Sequence, residues 1–450
     1  MKFKGYSGVE VALGVQHLFA MFGATILVPI LTGMNASVAL LTAGLGTLIF
    51  HFVTKMRVPI FLGSSFAFLP GIAAVVASEG ANYAGGAIIV AGGIYLIFSI
   101  LVYFVGASNI KKLFPPVVVG PIVILIGLSL VGNGINDASA INQQGNSWAE
   151  YPWLSWLVAA FTLIVILLFM LRGKGIFKLV PILIGIVAGY VVCLILSAFG
   201  LNVLNFDAIS AADWINIPYV TDGFMQLPKF SLSSILVIAP IAIVTFMEHI
   251  GDMTTLGAVT SKDIYQEPGL HRTVLGDGIA TMAAGFFGGP ANTSYGENIA
   301  VLATSKNFDP RIIRLAACFA IVLAFLGKFG ALLQTIPSPV LGGVSIVLFG
   351  IIASCGIMVL VDNRVDFKNS RNLVITSLIL SVGLGITLSG LGGYISISEN
   401  FNLSGLFVAT VVGILANICL PKDLPKIGDS DGNDETISGS DNEQFMNDGY

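Results

Sequence analysis

Charge is what this 450-residue chain has least of: Asp, Glu, Lys and Arg make up 10% of it, while 55% is hydrophobic. An average soluble protein carries about 25% charged residues, and a chain this apolar could not cover its own surface in water. Lipid is the solvent that suits it. The net charge of −4, with no basic cluster interleaved with aromatics, excludes a nucleic-acid partner. Cysteine is scarce too. Cys193, Cys318, Cys355 and Cys419 lie singly in apolar stretches with no CxxC pair, so neither a disulfide framework nor a metal site is indicated. No HExxH or Cys/His cluster occurs, and the one GxSxG (GDSDG, 428–432) lies in the acidic C-terminal stretch with no apolar strand before it, which argues against an enzyme. The N-terminus carries no cleavable signal pattern, so the first apolar segment is expected to stay as a membrane span.

What is present is a series of long apolar runs. About 20 apolar residues are needed for a helix to cross the hydrocarbon core. Full-length candidates lie near 9–32, 37–54, 84–106, 115–134, 153–171, 178–199, 232–251, 271–288, 311–335, 338–360, 372–389 and 403–420. Two further stretches, 65–77 and 294–305, are apolar but short. Counting each as one crossing gives fourteen, with both termini on one side. Basic residues concentrate on the cytoplasmic side of membrane proteins, and this count puts all of the 21 Lys and Arg there except Lys229 and Lys328. Dropping the short segments would scatter them. The expectation is an all-α polytopic protein of the cell (inner) membrane with both termini cytoplasmic. The loops 135–152 and 200–230 are expected to hold small interfacial structure. The stretch from Gly428 to Tyr450 carries seven acids and no base, and reads as a disordered cytoplasmic tail.

Two stretches resemble each other. Residues 114–135 (FPPVVVGPIVILIGLSLVGNGI) match residues 336–357 (IPSPVLGGVSIVLFGIIASCGI) at a separation of 222, with Gly120, Ile124 and Gly134 meeting Gly342, Ile346 and Gly356. Each opens with a Pro-rich turn that suits a helix start. The short segments pair likewise: Ser64-Ser65-Phe66 lies 229 residues before Thr293-Ser294-Tyr295. Seven crossings per half is an odd number, so two such halves insert with opposite topology, as an inverted repeat. Short, Gly/Pro-interrupted segments at matching places in two halves point to the binding site of a secondary transporter. Val58 to Ser64 and Phe287 to Thr293 are expected to run as extended strands that pair antiparallel. The half-helices after them would then present free N–H groups and positive dipole ends near the midplane.

The apolar interior keeps few acids: Glu248, Asp252, Asp277 and Glu297. An intramembrane carboxylate is costly and marks a substrate or ion pathway. Glu248 and Asp252 are one turn apart on one helix face, and Glu297 falls in the first turn of the second short helix. Asp277, between two glycines, reads equally as packing. His17 reads as an interhelical hydrogen-bonder, while His249 points about 100° away from Glu248 on a helix. Phe66, Phe68 and Tyr295, beside the breaks, could stack on a flat ligand. The ligand implied is flat, uncharged and rich in donors and acceptors. A simple anion would be repelled by two glutamates. A carboxylate removed from water can take up a proton, so the proton is the natural coupling ion, with no other cofactor.

The stretches QHLFAMFGATILVP (16–29), GSSFAF (63–68), EHIGD (248–252), GGPANTSYGEN (288–298), PVLGGVS (339–345) and VDF…RNLVITS (365–377) together resemble the nucleobase–ascorbate transporter family, in its uracil permease branch. The resemblance implies a core domain (residues 1–113 and 231–336, helices 1–4 and 8–11) and a gate domain (114–200 and 337–420, helices 5–7 and 12–14), with 421–450 as the tail. It also implies nucleobase:proton symport, elevator-like movement of the core, and a homodimer built through the gate domains. Glu248 and Glu297 would hydrogen-bond the base, backbone amides near Phe66 and Gly296 would bind its carbonyls, and Phe66 and Tyr295 would line the site. Glu248, Asp252 and Glu297 would carry the proton coupling. Asp252 departs from the His found in some uracil permeases and is similar to the purine-transporting members, which typically carry Gln at the position of Glu297. Ala300 and Ser305 stand where the signature usually has Gly and Thr. Uracil is the favoured substrate and xanthine or urate the alternative. An anion exchanger of the same architecture, or a channel, is the alternative of another class.

Overall fold

The computed structural model describes residues 6–106, 115–140, 147–218, 227–389, 393–398 and 401–421. Among the described residues, fourteen helical segments correspond to the expected crossings: α1 Gly8–Thr32, α2 Ala36–Val53, α3 Leu69–Ser78, α4 Ala81–Val105, α5 Pro116–Ser139, α6 Pro152–Arg172, α7 Pro181–Ala198, α8 Leu232–Thr260, α9 Leu270–Phe286, α10 Gly296–Ser305, α11 Pro310–Ala324, α12 Ser338–Asp362, α13 Ser370–Leu388 and α14 Gly405–Cys419. Nine of the described helices are long and apolar enough to cross a membrane. The tail and six of the basic residues used for orientation (Lys2, Lys4, Lys111, Lys112, Lys422, Lys426) lie outside the described residues.

Local chemistry sets the ends. Ser7 and Glu10 form a capping box at α1, and Asn35 caps α2 by accepting from the Ser37 and Val38 amides. Proline opens α5, α6, α7 and α11, where its missing N–H costs nothing. Several segments differ from their expected bounds: the fifth runs on to Ser139 and the eighth to Thr260. The third begins at Leu69 rather than near 65, because residues 65–68 form the turn that leads out of the strand. The ninth is 17 residues and the fourteenth 15. Ser404 caps the fourteenth from the end of a hairpin, β3 (Tyr394–Ser398) with β4 (Phe401–Ser404), that the apolar pattern concealed. The eleventh breaks after Ala324 and resumes at Gly327–Gln334, where the Ile215–Leu326 bridge ties it to the loop after α7.

The packing pairs recur with a shift of seven segments. α4 lies on α9 as α11 lies on α2; α6 lies on α7 as α13 lies on α14; α5 lies on α13 as α12 lies on α6. The α5–α12 pair, self-matched under that shift, is the most extensive contact. It is reciprocal in detail. A Cβ on Gly356 would stand 2.6 Å from the Ile124 amide nitrogen, and one on Gly134 would stand 3.3 Å from that of Ile346. Those four residues are the two pairs matched in sequence.

Burial follows the same division. The largest hydrophobic cluster draws on α1–α4 and α8–α11, with Val119 of α5 its one buried contribution from the remaining six helices. The other clusters belong mainly to α5–α7 and α12–α14, with single residues such as Leu27 and Val244 reaching in from α1 and α8. α1, α2 and α8 bury 61% of their apolar windows, α7 only 22% and α13 only 17%, so the last two lie at the periphery of the described residues.

Between α2 and α3 the chain runs extended as β1 (Leu62–Ser64), and between α9 and α10 as β2 (Asn292–Ser294). They pair antiparallel, Leu62 with Ser294, Gly63 with Thr293 and Ser64 with Asn292. Non-helical backbone survives at membrane depth only where protein satisfies it, and here side chains of the neighbouring helices do so. Thr47 of α2 bonds both the amide and the carbonyl of Leu62 (2.9 and 3.1 Å), His51 Nε2 lies 3.0 Å from the Ile60 carbonyl, and Thr281 of α9 donates to the Asn292 carbonyl at 2.6 Å. Asn292 Nδ2 in turn donates to the Thr42 carbonyl at 2.8 Å.

Candidate functional site

The crossing of β1 and β2 brings the starts of α3 and α10 to one place. A cavity of about 630 Å³ opens there, between these two turns, α8, α5 and α12. Ser64, Ser65 and Phe66 line it from one half and Ser294, Tyr295, Gly296 and Glu297 from the other. Glu248 comes from α8, and the opposite wall is apolar: Val119 and Val123 of α5, Leu348 and Ile352 of α12. Glu248, Gly296 and Glu297 all present open surface to it. No Lys, Arg or His lines it among the described residues. Fixed positive character comes instead from the N-terminus of α10, where Tyr295 occupies the cap without a capping side chain.

Of the residues singled out in the sequence, five meet at this cavity: Glu248, Glu297, Phe66, Gly296 and Tyr295. Asp252 does not line it. It stands one turn along α8, where its Oδ2 accepts from the Ser294 hydroxyl at 2.8 Å, and a Cβ on Gly296 would lie 3.5 Å from its Oδ1. Phe68 is fully buried in the core. Tyr295 is anchored by its hydroxyl, which donates to the Ser64 carbonyl at 2.7 Å and lies 2.9 Å from Thr25 Oγ1. Gly63 is required beneath that ring: a Cβ there would meet Thr25 Oγ1 at 2.6 Å and the Tyr295 hydroxyl oxygen at 2.7 Å.

His17 has the interhelical role expected of it. Asn298 Nδ2 donates to its Nδ1 and its carbonyl, each at 3.1 Å, tying α10 to α1. His249 turns away from Glu248, and its Nδ1 lies 2.9 Å from Asp277 Oδ2 on α9. Sequence reasoning missed Thr25, Thr47, His51, Asn292 and Asn298. Their common signal is a polar residue on an apolar helix, or beside a break, at the depth of the two strands.

The cavity reaches the C-terminal end of α12, where Asp362 and Asn363 line its mouth. Its other end is shut. Val28, Leu69, Leu130 and Phe349 form a small buried cluster on which Phe66 and Ile352 pack. Leu130 also lines a second cavity, of about 470 Å³, with Ser129, Asn133 and Asn136 of α5. One layer of apolar side chains therefore separates the two.

A helical membrane protein with crossed half-helices around a cavity open at one end and shut at the other is a permease in architecture, and comparison with known proteins agrees. Residues 8–390 match the Permease family, and the chain belongs to that family. It is 43% identical over 418 residues to the uracil permease of Bacillus caldolyticus, covering 92% of each chain. It is 37% identical over 404 residues to the uracil permease of Escherichia coli K12, covering 90% of this chain and 89% of that one. Among solved structures it resembles the transmembrane domain of a cyanobacterium bicarbonate transporter, BicA, with a TM-score of 0.59 at 15% identity, covering 92% of this chain and 98% of that chain. The last likeness concerns the fold alone. The chain is a multi-pass membrane permease, not an enzyme.

Proposed function

We propose that this permease imports a neutral nucleobase, uracil, together with a proton. The observation that carries the reading is the composition of the cavity: two glutamates beside a half-helix N-terminus, Asp362 at the mouth, and no basic residue among its described lining. Carboxylates accept from ring N–H groups, helix-terminal amides donate to ring carbonyls, and the apolar wall with Phe66 and Tyr295 suits a flat ring. An anion would meet Glu248 and Glu297 with no countercharge, which counts against an exchanger like the bicarbonate transporter whose fold is similar. The names of the curated relatives support the same substrate.

Proton coupling follows from charge. Two carboxylates held together away from bulk water cannot both stay ionised cheaply, and a proton taken up with the base neutralises one of them. Glu248 and Glu297 are the groups that meet the base, with Asp252 behind them. Xanthine or urate is the second reading, and it rests on Asp252. Because Asp252 is engaged by Ser294 and Glu297 faces the cavity, the arrangement favours uracil.

The seven-segment recurrence of the packing and the antiparallel pairing of the two sequence-matched strands support two inverted repeats. The separate hydrophobic clusters support a core domain (1–113, 231–336) that moves against a gate domain (114–200, 337–420) like an elevator. The protein would sit in the inner membrane with cytoplasmic termini and dimerise through its gate domains. The cavity mouth at Asp362 then faces the cytoplasm, and the structure is inward-facing.

The test is uptake of labelled uracil into cells lacking their own permeases, under an imposed inward proton gradient, with excess unlabelled xanthine in a parallel sample. Gradient-driven uptake that xanthine leaves untouched is expected. Uptake of xanthine in place of uracil would transfer the assignment to the purine reading, and uptake indifferent to the gradient would remove proton coupling.

A further inference from the structure

His51 lies on α2 one turn after Thr47, and both side chains hold the backbone that leads into β1. The imidazole is completely buried, and both of its nitrogens are engaged. Nδ1 lies 3.4 Å from Nη1 of Arg314, a half-buried residue of α11, and Nε2 lies 3.0 Å from the Ile60 carbonyl oxygen. These partners decide where the proton sits. A guanidinium has donors only and stays protonated in proteins, so Arg314 donates and Nδ1 offers its lone pair. A carbonyl only accepts, so Nε2 carries the hydrogen. His51 is therefore the neutral Nε2–H tautomer. The opposite tautomer would set an N–H against the guanidinium and a lone pair against the carbonyl, and both bonds would fail together.

The anchor falls where the site depends on it. Ile60 is followed by Phe61, whose carbonyl accepts from the Tyr295 amide at 3.0 Å. Tyr295 lines the cavity and caps α10. α11 thus reaches the site in three steps: guanidinium to imidazole, imidazole to Ile60, and Phe61 to Tyr295. Helix packing alone does not call for this pair, because the matching contact in the other half does without one. Gly85 of α4 stands 229 residues before Arg314, the separation of the two matched breaks, and Gly285 of α9 follows Thr281 by one turn as His51 follows Thr47. There the helices meet on bare backbone: a Cβ on Gly85 would stand 2.8 Å from the Gly285 carbonyl oxygen, and one on Gly285 2.6 Å from that of Gly85. A cation near the C-terminal end of α2 also suits the helix dipole. Arg272 already meets that need, donating to the Val53 carbonyl at 3.5 Å. Among the described residues no carboxylate pairs with Arg314.

We propose that Arg314 is a positioning residue of the base site: it fixes the tautomer of His51, and through that ring the start of the strand from which Tyr295 hangs. His51 accordingly carries no transported proton, since each nitrogen is committed to a bond that holds the strand. This rests on the reading of the cavity as the base site and extends that site to α11, a helix that contributes nothing to its described lining.

The experiment uses the purified full-length protein carrying isotope-labelled histidine. Nitrogen resonances of the rings report the tautomer, labelled uracil gives Kd, and a pH indicator gives proton uptake per bound uracil. The His51 signals, identified by their loss in His51→Gln, are expected to show a protonated Nε2 and a bare Nδ1. Arg314→Met should mix the two tautomers and raise Kd about three- to tenfold, the worth of one hydrogen bond, with proton uptake per uracil unchanged. Arg314→Lys, still a donor, should restore the single tautomer and most of the affinity. A contact that served packing alone would lower the fraction of protein able to bind and leave the Kd of that fraction untouched. The proposal is overturned by a protonated Nδ1 in wild type, by a wild-type Kd in Arg314→Met, or by reduced proton uptake in His51→Gln. If Arg314→Met does not fold, the comparison passes to His51→Gln, whose amide still donates to Ile60, and His51→Leu, which has no donor. His51→Gln should bind uracil more tightly, and equal Kd values overturn the proposal. Wild-type protein that binds no uracil would instead sink the substrate reading; the tautomer result stands, and Kd is then measured with xanthine.

Discussion

Gly63 and Thr293 face each other across the β1–β2 pair, and so do Ser64 and Asn292 beside them. A shift of 229 residues, the separation at which the two short segments match in sequence, carries Gly63 onto Asn292 and Ser64 onto Thr293. The first pair therefore becomes the second, and the register maps onto itself. Any antiparallel pairing of the two matched strands has that property, whereas a parallel pairing would not. The strands position the site, and three residues each suffice because Thr47, His51 and Thr281 anchor their backbones from the sides.

Gly63→Ala tests that positioning. The added methyl must displace Tyr295 or Thr25, which a Cβ would approach to 2.7 and 2.6 Å. Overpacking a filled interior costs about 1–3 kcal/mol, and here the movement falls on a ring that lines the cavity. Protein that still inserts but has lost most of its uptake, with lowered thermal stability in detergent, is the expected result. Normal uptake would show that Tyr295 can move without consequence.

Glu248→Ala is expected to abolish transport in protein that reaches the membrane, because no other described side chain replaces its carboxylate on α8. Glu297→Gln keeps the shape but turns an acceptor-only group into a mixed one. Losing one charge-assisted hydrogen bond costs about 1.5–3 kcal/mol, roughly 10- to 100-fold in uracil affinity, and the amide should admit xanthine. Binding measurements with both bases decide it; unchanged affinity and selectivity would take Glu297 out of the site.

Much of this was legible in the sequence because lipid enforces it. Apolar length gave fourteen segments, the Lys and Arg positions supplied an expected alternation, and the cost of acids in a membrane pointed to Glu248 and Glu297. The β1–β2 pair was legible because Gly and Pro cluster at both breaks. What stayed hidden has a physical reason. Whether Asp252 lines the cavity depends on a rotation of one residue position along α8, which spacing cannot resolve. The His249–Asp277 contact joins two helices whose relative rotation only packing decides. Thr47 and Thr281 look like ordinary membrane threonines, which usually bond their own helix, until the strands they serve are seen. The β3–β4 hairpin is apolar enough to read as the end of a span.

Asn298→Ala separates support from substrate contact. Asn298 is fully buried and holds α10 to α1 through His17, and it does not line the cavity. Removing it leaves the buried His17 ring nitrogen without this partner, a loss of about 1–3 kcal/mol. A lowered melting temperature is expected, with weaker uracil binding that recovers in part on cooling. His17→Gln, which can still bond an amide, should lose less. Equal stability of Asn298→Ala and wild type would mean that the α1–α10 contact contributes nothing.

The single apolar layer between the two cavities makes the sidedness of the structure measurable. Thr254 lines the larger cavity, and Asn136 lines the smaller one beyond Leu130 and Phe349. In a background with the four native cysteines replaced by Ser, a cysteine at Asn136 should react with a membrane-impermeant maleimide added outside intact cells. A cysteine at Thr254 should react only in inside-out vesicles. Leu130→Ala removes part of the layer, and a buried Leu so truncated loses about 2–5 kcal/mol of packing. That loss disfavours the closed arrangement, so the external reagent should begin to reach a cysteine at Thr254, and uracil should slow it. Labelling of the Thr254 cysteine from outside without the Leu130 substitution would mean that the four-residue cluster is not the barrier, and that the path past Phe66 is open in both directions.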